Sequence, residues 1–225
     1  LAAIEASLTG ADDAVAPAAG LRRALAARGL SSQHMLDLIE AFRRDVTKSR
    51  YADWGELIDY CRYSAWPVGR FVLDVHGESR AAWPASDALC GALQVINHLQ
   101  DCGEDYRALD RVYLPTDDLT RAGLTAAALG EPRAGPALLG VIGALSRRVE
   151  GLLGEARALG PAVRDLRLSL EIGVIEALAR SLNRRLARRD PLAQRVHHRP
   201  IEALGVALLG AGRSAGARLF APAAP

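Results

Sequence analysis

The stretch Ala88-Leu89-Cys90-Gly91-Ala92-Leu93-Gln94-Val95-Ile96 decides the fold, and Asn97-His98-Leu99-Gln100-Asp101-Cys102-Gly103-Glu104-Asp105-Tyr106 continues it. Gln94 alone is polar in the first segment, and a helix that is apolar on every side belongs inside a fold rather than on its surface. At about 100° per residue, Gln94, Asn97, Asp101 and Asp105 fall within one narrow stripe. His98 lies beside that stripe and Glu104 at its edge, whereas Leu89, Leu93, Ile96 and Leu99 take the other side. A buried helix that turns polar along a single line needs something for that line to meet.

Working outward, alanine, leucine, arginine and glutamate dominate and β-branched runs of strand length are nearly absent, so helix is the expectation wherever a 3.6-residue period appears. Leu1 to Leu8 reads as helix. Gly10 to Gly20, with Pro17, reads as an interruption, and Leu21 to Arg28 as a short helix closed by Gly29. Ser31 or Ser32 can cap the next helix, which carries Met35, Leu38, Ile39 and Phe42. Trp54 to Val75 repeats the pattern, and Pro67 inside it predicts a kink or division. Ser86 followed by Asp87 offers a cap for the polar-striped helix, which is expected to end near Tyr106. Arg107 to Thr120 reads as a polar connection and Gly130 to Pro136 as a loop. Further helices are expected over Ala137 to Leu159, from beyond Pro161 to Arg189, and over Pro200 to Leu209. The expected fold is all-α, one helical domain over residues 1–212 with a low-complexity tail over 213–225.

The chain has 225 residues, half of them apolar, so it can bury a core without disulfides or a structural metal. Three cysteines at wide spacing, Cys61, Cys90 and Cys102, suggest neither a zinc knuckle nor a disulfide scaffold and fit a reducing, cytoplasmic setting. A net charge of +2, with arginines dispersed, argues against a nucleic-acid groove. Apolar runs such as Gly205 to Gly212 fall short of the roughly 20 residues that span a bilayer, although peripheral membrane contact stays open. Because Leu1 opens directly on helical sequence, the chain reads as a fragment with more protein in front of it.

Two carboxylates four residues apart on one helix face repel each other, more strongly where water is scarce. A cation between them is expected. Mg²⁺ favours hard oxygen ligands, keeps several waters, and joins one or two carboxylates to a substrate diphosphate. Asn97 can add an amide oxygen to the metal or a donor to the diphosphate, and Gln94 extends the stripe. The same pair near a helix end can also be simply solvated.

The run from Gln94 to Tyr106, followed by Arg111-Val112-Tyr113-Leu114-Pro115, resembles the second aspartate-rich signature of squalene and phytoene synthases and the Tyr-Leu-Pro segment after it. Tyr60-Cys61-Arg62-Tyr63-Ser64-Ala65-Trp66-Pro67-Val68-Gly69 resembles the family's tyrosine-containing segment on a kinked helix. The resemblance implies an isoprenoid synthase bundle around a central cavity. It also implies that Asp101 and Asp105 bind Mg²⁺ and diphosphate, with Asn97 and Gln94 in the same site. Tyr60, a candidate catalytic group, and Gly69 would border the cavity near the reacting carbons, and Tyr113 would belong to a segment that closes over the diphosphate.

Phe42-Arg43-Arg44-Asp45-Val46-Thr47-Lys48-Ser49-Arg50-Tyr51 and the wording Asn97 to Cys102 resemble the hydroxysqualene synthase branch of the bacterial hopanoid pathway. In that branch presqualene diphosphate loses pyrophosphate and water captures the cation. Gln100 stands where many family members carry arginine, which makes condensation of two farnesyl diphosphates, as in squalene, dehydrosqualene or phytoene synthesis, a weaker expectation than ionisation of a ready-made cyclopropyl diphosphate. The family's first aspartate-rich motif is not in this sequence. Asp12-Asp13 lies in a linker and lacks the i, i+4 spacing, so the missing half-site is expected upstream of Leu1 and this segment alone is expected to be inactive or nearly so. A rival reading is a non-enzymatic assembly factor on the same fold.

Outside the stripe, His76, His197 and His198 read as surface or packing residues, with His98 a candidate for site contact. The cysteines and Trp54, Trp66 and Trp83 read as packing residues. Tyr63 is a second candidate orienting group. Arg180, Arg184, Arg185, Arg188 and Arg189 read as a solvated basic face at a helix C-terminus. Oligomeric state is not legible.

Overall fold

The computed structural model describes the backbone of residues 1–219 and the side chains of residues 1–216. Among the described residues the secondary structure is helical, and the β pairing is an isolated bridge between Arg50 and Val112. The all-α expectation is met. The opening helices are α1 (Ala2–Thr9), α2 (Ala16–Ala26) and α3 (Gln33–Thr47). Pro17 sits in the first turn of α2, where a missing N–H costs nothing, so that helix starts earlier than the proline alone suggested. Gly29 adopts φ +67° and turns the chain after it, and the Ser31 hydroxyl accepts from Gln33 N at the start of α3.

The division expected at Pro67 is present. α4 (Trp54–Ser64) ends at Ala65, whose φ of −126° and ψ of −46° leave the helical region, and α5 (Trp66–Val75) begins at once with Pro67 in its first turn. Asp53 caps α4 by accepting from Glu56 N.

The central element is α6 (Trp83–Leu109), 27 residues long. Ser86 and Asp87 do not cap it. A 3₁₀ turn over Arg80–Ala82, capped by Ser79, runs directly into Trp83 and Pro84, which places Ser86 and Asp87 inside the helix and buries both. Asp87 is held there by a two-pronged ion pair with Arg70, Nε to Oδ1 at 2.8 Å. Ala92, Val95, Ile96 and Leu99 are buried, each medium-sized apolar chain contributing about 1.5–3 kcal/mol. This is the interior placement that its sequence predicted.

α7 (Thr116–Arg121), α8 (Pro136–Ala156), the single turn α9 (Leu159–Ala162), α10 (Leu166–Leu186) and α11 (Pro200–Leu219) complete the bundle. α6 packs on α5, α8 and α10, and α10 packs closely along α11. The close α10/α11 approach depends on glycine: a Cβ on Gly210 would lie 2.6 Å from the Gly173 carbonyl oxygen and 3.0 Å from the Val174 Cα. α11 continues past the expected end at Leu209, and the tail residues 220–225 lie outside the described residues. Arg180 and Arg185 are not part of a solvated face. Arg180 pairs with Glu150 and Glu176, and Arg185 with Glu202 at 2.9 Å. Among the described residues no helix is long and apolar enough to cross a membrane.

Candidate functional site

The acidic face forms at the C-terminal half of α6. Asp101 and Asp105 are half-buried there, Gln94 is half-buried about two turns before Asp101, and Asn97 is exposed. Burial foremost, then the charge of Asp101, pushes the Asp105 carboxyl up to about 6, with Arg111 pulling the other way. A cation at this face would relieve that repulsion. Among the described residues no group of three or more His, Cys, Asp or Glu is placed to hold a metal ion. The donor set is therefore two carboxylates and an amide, which fits an Mg²⁺ shared with substrate phosphates and water, and does not form a full protein cage.

Behind the carboxylates lies a layer of rings. His98 is 4% exposed and stacks on Tyr113 with centroids 3.5 Å apart and planes 12° from parallel. Burial pushes its imidazole down to about 3, so it is neutral, and its Nε2 faces the Gln94 amide nitrogen at 3.2 Å. Since the amide N–H donates, the ring proton belongs on Nδ1. Tyr60 packs 5.7 Å from Tyr113 and 5.3 Å from Tyr51, and Tyr51 stacks on Tyr113 at 5.5 Å. Such ring pairs contribute about 0.5–1.5 kcal/mol each beyond area burial.

Two chain segments clamp this layer. The backbone of Ser49–Ala52 accepts from Val112 N, Thr116 N and Asp117 N at 2.9–3.0 Å, which ties the Tyr113-Leu114-Pro115 segment to the end of α3. Asp110 makes the turn out of α6 at φ +49°, with Arg50 bonded to its carbonyl and carboxylate. Arg111 is thereby folded back, and its Nη2 donates to the Asp45 carbonyl at 2.9 Å.

The structure thus gathers Gln94, His98, Asp101, Asp105, Tyr60 and Tyr113 at one end of the bundle, with Asn97 at the rim. Gly69 stands apart from this group: it lies at the α5/α6 seam, where an added Cβ would meet Ser86 Oγ and come within 2.6 Å of Cys90 Sγ, so its role here is close packing. Tyr113 is a buried ring of the cluster. Tyr63 lies outside the ring layer, under the Arg44 guanidinium at 3.9 Å. Asp45 and Tyr51 belong to the cluster although sequence reasoning gave them no role. Gln100 joins α6 to the segment after α10 by donating to the Val196 carbonyl, and its amide nitrogen lies 3.1 Å from His197 Nδ1. An opening of about 250 Å³ lies between that segment and Gln100, Asp101, Glu104 and Arg107. The openings described are clefts in contact with solvent.

The sequence profile of the family described as squalene/phytoene synthase matches residues 1–202. The chain belongs to the squalene/phytoene synthase family. It is 56% identical over 199 residues to the hydroxysqualene synthase of Rhodopseudomonas palustris, covering 88% of this chain and 68% of that protein. It is 50% identical over 210 residues to the hydroxysqualene synthase of Zymomonas mobilis, covering 92% and 71%. The fold is similar to the crystal structure of squalene synthase HpnC from Alicyclobacillus acidocaldarius, with a TM-score of 0.73, 36% identity, and coverage of 82% of this chain and 70% of that one. A dehydrosqualene synthase crystal structure, 22% identical with a TM-score of 0.74 over 82% of this chain and 66% of that one, supports the all-α isoprenoid synthase fold.

Proposed function

We propose that this squalene/phytoene synthase chain carries the greater part of a magnesium-dependent isoprenoid synthase that converts presqualene diphosphate into hydroxysqualene and releases pyrophosphate. The observation that carries the reading is the Asp101–Asp105 face: two carboxylates one turn apart, one pushed up to about 6, on the same helix as a neutral imidazole that packs against Tyr60 and Tyr113. Identities of 50–56% to three hydroxysqualene synthases support the choice of substrate.

Bound Mg²⁺ would supply the charge that neutralises the departing pyrophosphate. Asp101 and Asp105 offer its carboxylate oxygens, and Asn97 offers an amide at the rim for metal or diphosphate. Burial keeps His98 neutral and Gln94 orients it, so the imidazole adds no positive charge behind the face. The rings of Tyr60, Tyr113 and Tyr51 form a buried, electron-rich layer, the kind of surroundings that favour a nearby cation over an aliphatic wall. Water then forms the new C–O bond. The working setting in this reading is cytoplasmic with peripheral membrane contact.

Gln100 favours this reaction over head-to-head condensation of two farnesyl diphosphates. It carries no charge, and its amide nitrogen faces Val196 and His197, so it gives a second diphosphate no cationic clamp. The deciding experiment feeds the full-length protein presqualene diphosphate or farnesyl diphosphate with Mg²⁺ and identifies products by mass spectrometry. Hydroxysqualene from the first substrate and little product from the second is expected. Squalene, dehydrosqualene or phytoene from the second would replace this reading with condensation, and no product from either would support the assembly-factor role.

A further inference from the structure

Asp45 has no part in the acidic face, yet it is the anionic hub of the ring layer behind it. Its Oδ2 accepts from Tyr60 Oη at 3.2 Å, and its backbone carbonyl accepts from Arg111. Its Oδ1 is buried and takes no hydrogen bond from the described protein atoms, and the Tyr51 hydroxyl is buried and unpartnered in the same way. After burial, which is the larger cause, the carboxylate of Asp45 helps push the hydroxyls of Tyr51, Tyr60 and Tyr113 up, so its field reaches all three. Buried polar atoms without partners are rare in native proteins, and two in one cluster point to function rather than stability.

An ionised carboxylate only accepts hydrogen bonds, so the Tyr60 hydroxyl proton is committed to Asp45. The phenol oxygen then offers only lone pairs to its other neighbours, the Tyr113 hydroxyl among them, with electron density raised by the neighbouring anion. Lone pairs beside stacked rings suit a carbocation or a water molecule that must be aimed at one.

We infer that Asp45 is a positioning residue that acts through Tyr60, fixing the phenol oxygen as an acceptor that aims the capturing water at the carbocation. This rests on the proposed reaction and extends it to the termination step. Tyr60 forms and breaks no covalent bond: the water oxygen forms the C–O bond, and its surplus proton passes to the released pyrophosphate, a base produced in equal amount.

A double-mutant cycle in the full-length protein with presqualene diphosphate tests this, with alcohol, hydrocarbon side products and pyrophosphate followed separately. Asp45→Ala is expected to lower kcat for the alcohol about 10- to 100-fold with KM within about threefold, and to shift product toward hydrocarbons as Tyr60→Phe does. The double variant should be no worse than Tyr60→Phe within about twofold. Asp45→Asn, which keeps the volume and an acceptor oxygen, should lose about three- to tenfold, and it carries the same cycle if Asp45→Ala fails to fold. Full additivity with an active parent protein overturns this inference alone. No turnover by the unmodified protein overturns the proposed function and this inference together.

Discussion

Asp105 stands one turn beyond Asp101 on the same face of α6, and the two carboxylates are close enough that the charge on Asp101, after burial, holds the Asp105 proton on to about pH 6. A pair arranged this way is destabilising until a cation reaches it.

Replacing either carboxylate by its amide removes one of the two carboxylates proposed to hold the metal, with little change of shape. Asp101→Asn or Asp105→Asn in the full-length protein is expected to lower pyrophosphate release by about 10²–10³-fold or more while leaving the circular dichroism spectrum unchanged. Near-normal turnover would remove these residues from the mechanism.

The same pair predicts a pH signature. Because the folded-state pKa of Asp105 is raised from 3.8 to about 6, the stability tied to its proton is fully present below about pH 4 and is lost as pH rises through 6. Without divalent cations, Asp105→Asn should therefore melt with the unmodified protein near pH 4 and a few degrees above it at pH 7.5, a gain on the order of 1 kcal/mol after solvent screening. Adding Mg²⁺ with pyrophosphate should close the gap. A pH-independent difference in melting temperature would contradict the placement.

At the α10/α11 contact, Gly210→Ala has nowhere to put its methyl group, since the nearest atoms cannot swing away: the Gly173 carbonyl oxygen at 2.6 Å, the Ala177 Cβ at 2.8 Å and the Val174 Cα at 3.0 Å. A loss of about 1–3 kcal/mol is expected in chemical denaturation. Gly205→Ala, which meets open space, should cost nothing and gain a few tenths from helix propensity.

Gln100→Ala releases the tie to the Val196 carbonyl and to His197. Hydrogen exchange by mass spectrometry should show faster exchange across residues 191–198 with α6 itself unchanged. Unaltered protection there would mean that the buried Val196 side chain alone anchors the segment.

The parts of this picture that were legible in the sequence are those decided by local chemistry. Ala88 to Ile96 has too few polar groups to lie anywhere but inside, and Pro67 cannot sit in a continuous helix, so the burial of α6 and the break at Ala65 followed directly. The cap at Ser86 and Asp87 was misread because both residue types suit an N-terminus, while the partner that holds Asp87 inside the helix, Arg70, is on another helix. His34 was passed over for the same reason, its partner Asp74 lying 40 residues away at 2.9 Å. The acidic stripe was visible because helical periodicity alone aligns it. The ring layer behind it was not, because Tyr51, Tyr60, His98 and Tyr113 come from four segments and Asp45 from a fifth.

Asp110 is, among the described residues, the single non-glycine residue with positive φ, and it reverses the chain between the carboxylate pair and the Tyr113 segment. One left-handed residue serving as the hinge pin of the site sets a fixed length. Inserting or deleting a single residue between Arg107 and Val112 would swing Tyr113 out from under His98 without touching either aspartate, so relatives with the acidic motif intact but a changed count in this turn should be read as having lost the site's floor.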